Sequence, residues 1–358
     1  MKIAFFFSSK NIIPPLKTGG IEQPAYYLIK ELIKRKHDIT LFAAPGSKIE
    51  GTVVKKIFSF PVAKKLKHSY IEERVNSFYD LGALADFFHS GESEKFDVIF
   101  FCNYIFYEIL PFTRWTKTPV LIQINYPHKE SYSYLKDGLL TYKNVFYTPM
   151  SNFIKKIMPE LPYQNTIYPV FDIHDFKYSE KGGEYLLFIG RICSDKGTHL
   201  AVQAALKANK KLVIAGEVSE SNRDYFNKTV RPYIDNKKII YVGEVDFKTK
   251  VEIYSKAIAT LFTSQWDEPF GVVQLESMAA GTPVVAFKNS AVNEIVRGGV
   301  SGYIVKNRDI DAMARAANEA EKLNRRKVRQ YVEEKFSIEK EADKFEKICR
   351  KITKKKKR

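Results

Sequence analysis

Two kinds of hydrophobic stretch alternate along the chain. Short, continuous apolar runs bounded by Gly, Pro or charged residues are followed by longer segments whose apolar positions recur every three or four residues. IAFFF (Ile3 to Phe7) is a run of the first kind, as expected of a strand covered by helices on both faces. IEQPAYYLIKELIKRKH follows, with Ile21, Ala25, Leu28, Ile29 and Leu32 at helical spacing, and then DITLFAAPG, which completes a βαβ unit. The alternation continues through FDVIFFC and PVLIQIN to VFYTPMSNFIKKI. Between Lys48 and Glu94 the pattern is irregular and assigns no topology. NTIYPVFDIHDF (Asn165 to Phe176), with Pro169, reads as a linker.

The second half has the same grammar in cleaner form. EYLLFIG, KKLVIAGEV, KKIIYVGEV, ATLFTS, TPVVAF and SGYIV are apolar runs, and THLAVQAALKAN and DFKTKVEIYSKAIA are helical segments between them. The expected fold class is therefore α/β, with two doubly wound, Rossmann-like domains spanning residues 1–168 and 169–335 and a terminal segment 336–358. If the domains face each other, a cleft lies between the carboxyl ends of their strands, so function is to be sought in the loops after strands.

Composition refines this picture only slightly. A chain of 358 residues is long enough for two ordinary cores, and 45% hydrophobic with 28% charged residues is globular composition. The longest apolar stretch, VIFFCNYIFYEIL (Val98 to Leu110), is interrupted by Asn103 and Glu108. It falls short of the ~18 residues of a membrane span. MKIAFFFSSKN reads as a first strand rather than a secretory signal. Cys102, Cys193 and Cys349 share no metal or redox spacing, which suits a reducing compartment such as the cytoplasm. The formal charge of +17 is concentrated in LNRRKVRQ (Leu323 to Gln330) and KICRKITKKKKR (Lys347 to Arg358). Such runs fit either solvated, partly frayed charge or an anchor on anionic membrane, and no motif points to nucleic acid.

Three loops carry candidate chemistry. In KNIIPPLKTGGIEQP, Gly19 and Gly20 directly precede a helix, a place for either a turn or a cradle for phosphate or sugar. In GRICSDKGTHLAV, Arg191 and Lys196 flank a short turn at a helix start. Taken alone they read first as surface cations and otherwise as a pair that neutralises a diphosphate; Gly190 and Gly197 weaken the first reading by allowing close backbone approach. The third stretch is SQWDEPFGVVQLESMAAGTPVVAF, from Ser264 to Phe287, with a helix expected from about Gly271 to Ala280. At about 100° per residue, Glu276 falls among Val272, Val273, Ala279 and Ala280, while Gln274, Ser277 and Met278 point elsewhere. A carboxylate on an apolar face is costly unless bonded, so Glu276 is held by a backbone amide or an Arg, or it grips a diol.

These residues resemble the retaining, nucleotide-sugar-dependent glycosyltransferases of family 4, which have the GT-B fold. The resemblance rests on EPFGVVQLE, with Glu268 and Glu276 at E-x7-E spacing, on SMAAGTPVVAF and VNEIVRGGVSGYIV, and on YLLFIGRICSDKG and YVGEV. TGGIEQPAYYLIKELIKRKHDITLFA supports it in the first half. It implies metal-free transfer of a hexose, from a UDP-glucose-type rather than a GDP-mannose-type donor, to a sugar, lipid-linked or small-molecule acceptor. No cofactor is implied beyond the donor itself. Arg191 and Lys196 would hold the diphosphate with Gly190, the Phe270, Gly271, Val272 and Val273 backbone, and the Gly19-Gly20 loop. Glu276 would hold the ribose and Glu268 the transferred sugar, while Tyr241, Gly243 and Val245 would flank the base. FSIEKEADKFEKICRKI would be a helix crossing back to the first domain.

Two departures stand out. Where relatives commonly carry a histidine after the strand PVLIQIN, this chain has Asn125, and Phe100 and Cys102 follow the FDVI run where another histidine is frequent. His128 is either a catalytic substitute or a surface residue. The linker Pro169-Val170-Phe171-Asp172 also lacks the usual Asn-Gly. A nucleotide-sugar-binding relative without turnover is thus a competing expectation.

Overall fold

The structure, a computed structural model, describes residues 1–7, 12–15, 19–56, 69–102, 106–126 and 129–356. The chain forms two compact units, one of Met1–Phe171 with Ile338–Arg358 and one of Asp172–Ser337.

The first unit runs β1 (Lys2–Phe6), α1 (Glu22–Lys34), β2 (Asp38–Ala43), β3 (Val53–Lys56), α2 (Ser69–His89), β4 (Val98–Phe101) and α3 (Phe106–Ile109). It continues with β5 (Val120–Ile124), α4 (Lys129–Leu139), β6 (Val145–Pro149) and α5 (Asn152–Ile157). Its parallel sheet has the order β3-β2-β1-β4-β5-β6.

Consecutive side chains of a strand point to opposite faces, which explains why these strands are apolar throughout. Phe6 stacks on Phe42 and Phe101, and Phe87 of α2 packs edge-on against Phe6 and Phe42. Phe5 and Phe100 instead pack against Phe345 of the C-terminal helix. The irregular segment thus supplies an edge strand, β3, and the helix α2.

The second unit runs β7 (Tyr185–Ile189), α6 (Thr198–Lys207), β8 (Leu212–Ala215), α7 (Arg223–Thr229), β9 (Ile239–Gly243) and α8 (Phe247–Lys256). After these come β10 (Ala257–Phe262), α9 (Val272–Ala279), β11 (Val284–Phe287), α10 (Val292–Ile295), β12 (Gly302–Val305), α11 (Ile310–Ala320) and α12 (Arg325–Lys335). Its parallel sheet, β12-β11-β10-β7-β8-β9, has the same winding as the first. α13 (Ile338–Lys356) then returns to the first unit, where Ala342, Phe345, Ile348, Cys349 and Ile352 enter the core beside β1, β4 and α1.

The basic runs require correction. In LNRRKVRQ, Arg326 and Lys327 are exposed, but Arg325 is buried and binds the carbonyls of Ser179, Ala257 and Ser255. Arg329 likewise donates to the carbonyls of Ile173, Phe176 and Ala279. Both guanidinium groups tie α12 to the loops beneath it. The terminal run is helical as far as Lys356.

In both sheets the winding reverses beside the first strand of the unit, between β1 and β4 and between β7 and β10. Loops at the carboxyl ends of such strands form the crevice where doubly wound sheets take ligands. The loops after β1, β7 and β10 carry Gly19 and Gly20, Arg191 and Lys196, and Glu268.

Candidate functional site

In the second unit the loops after β7 and β10 are sewn together. Thr263 Oγ1 donates to the carbonyls of Lys196 and Gly197, at 3.0 and 2.9 Å, and the Gln265 N–H donates to Asp195 O at 2.7 Å. Gly197 makes this approach possible. Its φ is +67°, and a Cβ there would lie 2.2 Å from the Thr263 carbonyl oxygen.

This junction brings Lys196 to Glu268. The ammonium lies 2.6 Å from each carboxylate oxygen, and both side chains are largely shielded from solvent. The Trp266 ring lies 5.2 Å from Lys196 Nζ, a cation–π contact that further restrains the lysine. Gly190 has φ +152° and Arg191 is exposed at the mouth of the same loop.

Gly271, at φ +88°, caps the start of α9. The N–H groups of a first helical turn have no intrahelical acceptor, so those of Val272 and Val273, on half-exposed residues, suit an anion. Phe270 does not present its ring there. It is buried and edge-on to Phe336.

The helical-wheel expectation for α9 needs correction. Gln274, Ser277 and Met278 are fully buried, whereas Val272 and Val273 are the half-exposed positions. Glu276 is buried too, and a lysine and a tyrosine hold it rather than a backbone amide or an arginine. Lys250 Nζ donates to Oε1 at 2.5 Å and the Tyr254 hydroxyl to Oε2 at 2.9 Å. Burial, with Glu276 alongside, pushes the Tyr254 phenol well above its ordinary value, so it serves as a donor. Lys250 and Tyr254 escaped sequence reading because α8 is rich in lysine and only their i, i+4 spacing puts them on one face.

The Tyr241 hydroxyl donates to Gly216 O at 2.9 Å, and its ring packs 5.0 Å from that of Phe226. Gly243 accepts from the Gly216 N–H, and Val245 is half-exposed just beyond β9.

In the first unit, Gly20, Asn125 and Gln123 line a cavity of ≈ 20 Å³ together with Met150, Tyr168 and Pro169. Gly19 sits beside it, where a Cβ would meet the Pro15 ring at 2.6 Å. Asn125 is buried and its amide donates to Cys102 Sγ at 3.5 Å, while the thiol donates to Gln123 Oε1 at 3.2 Å. Burial pushes the Cys102 thiol up to about 12, so it stays protonated and acts as a structural link. Phe100 is core, packed on Phe5 and Phe345. His128 lies outside the described residues.

Comparison with solved structures gives the class. The fold is that of GT-B proteins. A sucrose-phosphate synthase from Thermosynechococcus elongatus matches with a TM-score of 0.80 at 17% identity, covering 98% of this chain and 99% of that one. HepE from Anabaena, in complex with UDP and glucose, matches with a TM-score of 0.74 at 16% identity, over 97% and 99%. At the sequence level, the model of the glycosyl transferases group 1 family matches residues 170–336. An uncharacterized glycosyltransferase of Methanocaldococcus jannaschii is 36% identical over 133 residues, which is 36% of this chain. A glycogen synthase of Mycobacterium tuberculosis is 31% identical over 140 residues, or 38% of this chain. In each case the chain spans 33% of the relative's length.

Proposed function

We propose that the chain is a retaining glycosyltransferase. It moves a hexose from a nucleoside diphosphate sugar, of UDP-glucose rather than GDP-mannose type, to an acceptor hydroxyl without a metal ion. The observation that carries this reading is the Lys196–Glu268 pair, held at the winding reversal of the second unit beside Arg191 and the start of α9. A cation and a carboxylate that neutralise each other can exchange partners when donor arrives. Lys196 then turns to the diphosphate and Glu268 to the sugar hydroxyls, while Glu276 holds the ribose. The family of residues 170–336 supports the reading, as does the UDP held by HepE.

In the mechanism that follows, negative charge grows on the leaving diphosphate as the anomeric bond breaks. Arg191, Lys196 and the first-turn amides of α9 act on that developing charge and so favour the transition state over bound donor. Removing one such donor costs about 10²-fold or more in turnover. Lys196→Ala is therefore expected to lower donor-dependent turnover by about 10²-fold, whereas Leu186→Val, deep in β7, leaves it within a few-fold. Equal rates in the two purified variants sink the assigned role. Retention is tested by incubating the protein with UDP-glucose and GDP-mannose and reading the anomer of the product by NMR; an inverted product overturns that part.

Asn125 favours a second reading. Where an imidazole is expected, the chain has a buried amide bound to a thiol, which offers no general acid or base. A donor-binding relative without turnover would bind UDP-glucose in a thermal-shift assay yet release no sugar. Peripheral contact with anionic lipid is supported by the exposed Lys347, Arg350, Lys351 and Lys354 of α13. Truncation after Thr353, which removes Lys354 and the cations beyond it, is expected to reduce flotation with phosphatidylglycerol liposomes, and unchanged flotation removes those last residues from the account.

A further inference from the structure

The pair Lys250–Glu276 is poorly explained as a stabilising contact. Both side chains are less than a tenth exposed, and taking two charges from water costs more than their attraction returns unless geometry and hydrogen bonding are very good. An apolar pair of similar volume is commonly as stable or more so. Lys250 also lies in the first turn of α8, the helix end where a cation is disfavoured. Yet it is held firmly. Its ammonium lies 2.5 Å from Glu276 Oε1 and 5.2 Å from the centre of the Phe247 ring. Tyr254, one turn further along α8, takes the other carboxylate oxygen with its hydroxyl.

Each carboxylate oxygen thus receives one donor. A carboxylate has about four lone-pair sites, so about two stay available. Two hydroxyls of a vicinal diol need that number.

We infer that Lys250 and Tyr254 are positioning residues, which fix the Glu276 carboxylate in one orientation and supply its countercharge so that its remaining lone pairs receive the ribose 2′- and 3′-hydroxyls of a nucleoside diphosphate. The inference rests on the reading of Glu276 as the ribose ligand. It adds that discrimination between ribose and deoxyribose is set from α8, by residues that do not themselves touch the sugar.

The test compares each ribonucleotide with its 2′-deoxy form, because general damage to the site weakens both alike. Calorimetric titration of the full chain with UDP, GDP and ADP, each beside its 2′-deoxy counterpart, identifies the pair to follow. Wild type is expected to prefer the ribo form by about tenfold, the worth of one hydrogen bond to a charged group. Lys250→Met is expected to bring the ratio close to one, mostly by weakening the ribonucleotide, and Tyr254→Phe to lower it by a smaller factor. Tyr254→Phe removes only a hydroxyl and so carries the test if Lys250→Met does not fold. A ratio unchanged in both variants overturns the positioning role and leaves the Glu276 reading intact. If wild type does not discriminate and Glu276→Gln binds the ribonucleotide as tightly, or if none of the nucleotides binds, the Glu276 reading fails and this inference falls with it.

Discussion

Arg325 shows how one residue can change character between sequence and fold. In the sequence it is one cation within a basic run. In the structure its guanidinium donates to Ser179 O, Ala257 O and Ser255 O at 2.7, 2.8 and 2.9 Å and to Thr282 Oγ1 at 2.6 Å. Gly182 leaves room for it, since a Cβ there would lie 2.1 Å from an Arg325 nitrogen. Burial pushes the guanidinium down to about 10, which keeps it charged at neutral pH. A lysine has neither the fork nor the reach to serve these acceptors together. Arg325→Lys is expected to cost about 3 kcal/mol, from buried carbonyls left without donors, measurable as a lower urea midpoint with unchanged slope. A loss under about 1 kcal/mol means that water replaces the guanidinium. The same limit on reading residues applies at the candidate site. Glu268, Glu276, Arg191 and Lys196 stand out because charge beside Gly and Pro in a loop, or charge on an apolar helix, breaks a local pattern. Lys250 breaks none, since a lysine in KTKVEIYSK looks like any solvated charge until the fold turns it toward α9.

Elements were legible where a single physical constraint dominates. The parallel strands are apolar throughout because helices cover both faces, and six such runs in the second half correspond to β7 through β12. β3 was not legible, because it has only four residues, VVKK, and lysines are what an edge strand carries on its open side. The face of α9 was not legible for the opposite reason. With Gln274, Leu275, Glu276, Ser277, Met278 and Ala279 all buried, a helical wheel has no solvent side to find. α13 reads clearly as amphipathic, apart from Glu341, which is fully buried. One of its oxygens accepts the Tyr168 N–H at 2.9 Å and the other accepts from Lys344 Nζ at 2.6 Å. Burial nonetheless raises its pKa above the ordinary carboxylate value. The native state therefore keeps this proton to higher pH than the unfolded chain does. Its contribution to stability is full below the unfolded-state value and declines as pH rises through the folded one. Glu341→Gln is expected to flatten that decline in urea melts taken from about pH 4 to about pH 7, and an unaltered slope assigns it to other groups.

At the scale of the whole molecule, the second unit is continuous in sequence and the first is not. Residues 172–337 contain every strand of the second sheet and most of the sequence match to the family. The first unit is completed only by α13, with Phe345 packed between Phe5 and Phe100 and with Ile348 and Ile352 in the same core. Burying each of these three side chains contributes about 1.5–3 kcal/mol. Their sum is comparable with the whole stability of an ordinary domain, about 5–15 kcal/mol. A chain ending at Ser337 is thus expected to retain a folded second unit and lose the first. Its melting curve should show one cooperative transition of reduced enthalpy, and it should bind a dye that reports exposed apolar surface. If Arg191, Lys196 and Glu276 suffice for the donor, the truncated chain still shifts its melting temperature upward with nucleotide, because a ligand stabilises only the folded unit that binds it. Loss of the first unit's transition together with loss of the nucleotide shift means that these three residues do not suffice. An intact first transition means that the strands of its sheet hold their core without α13.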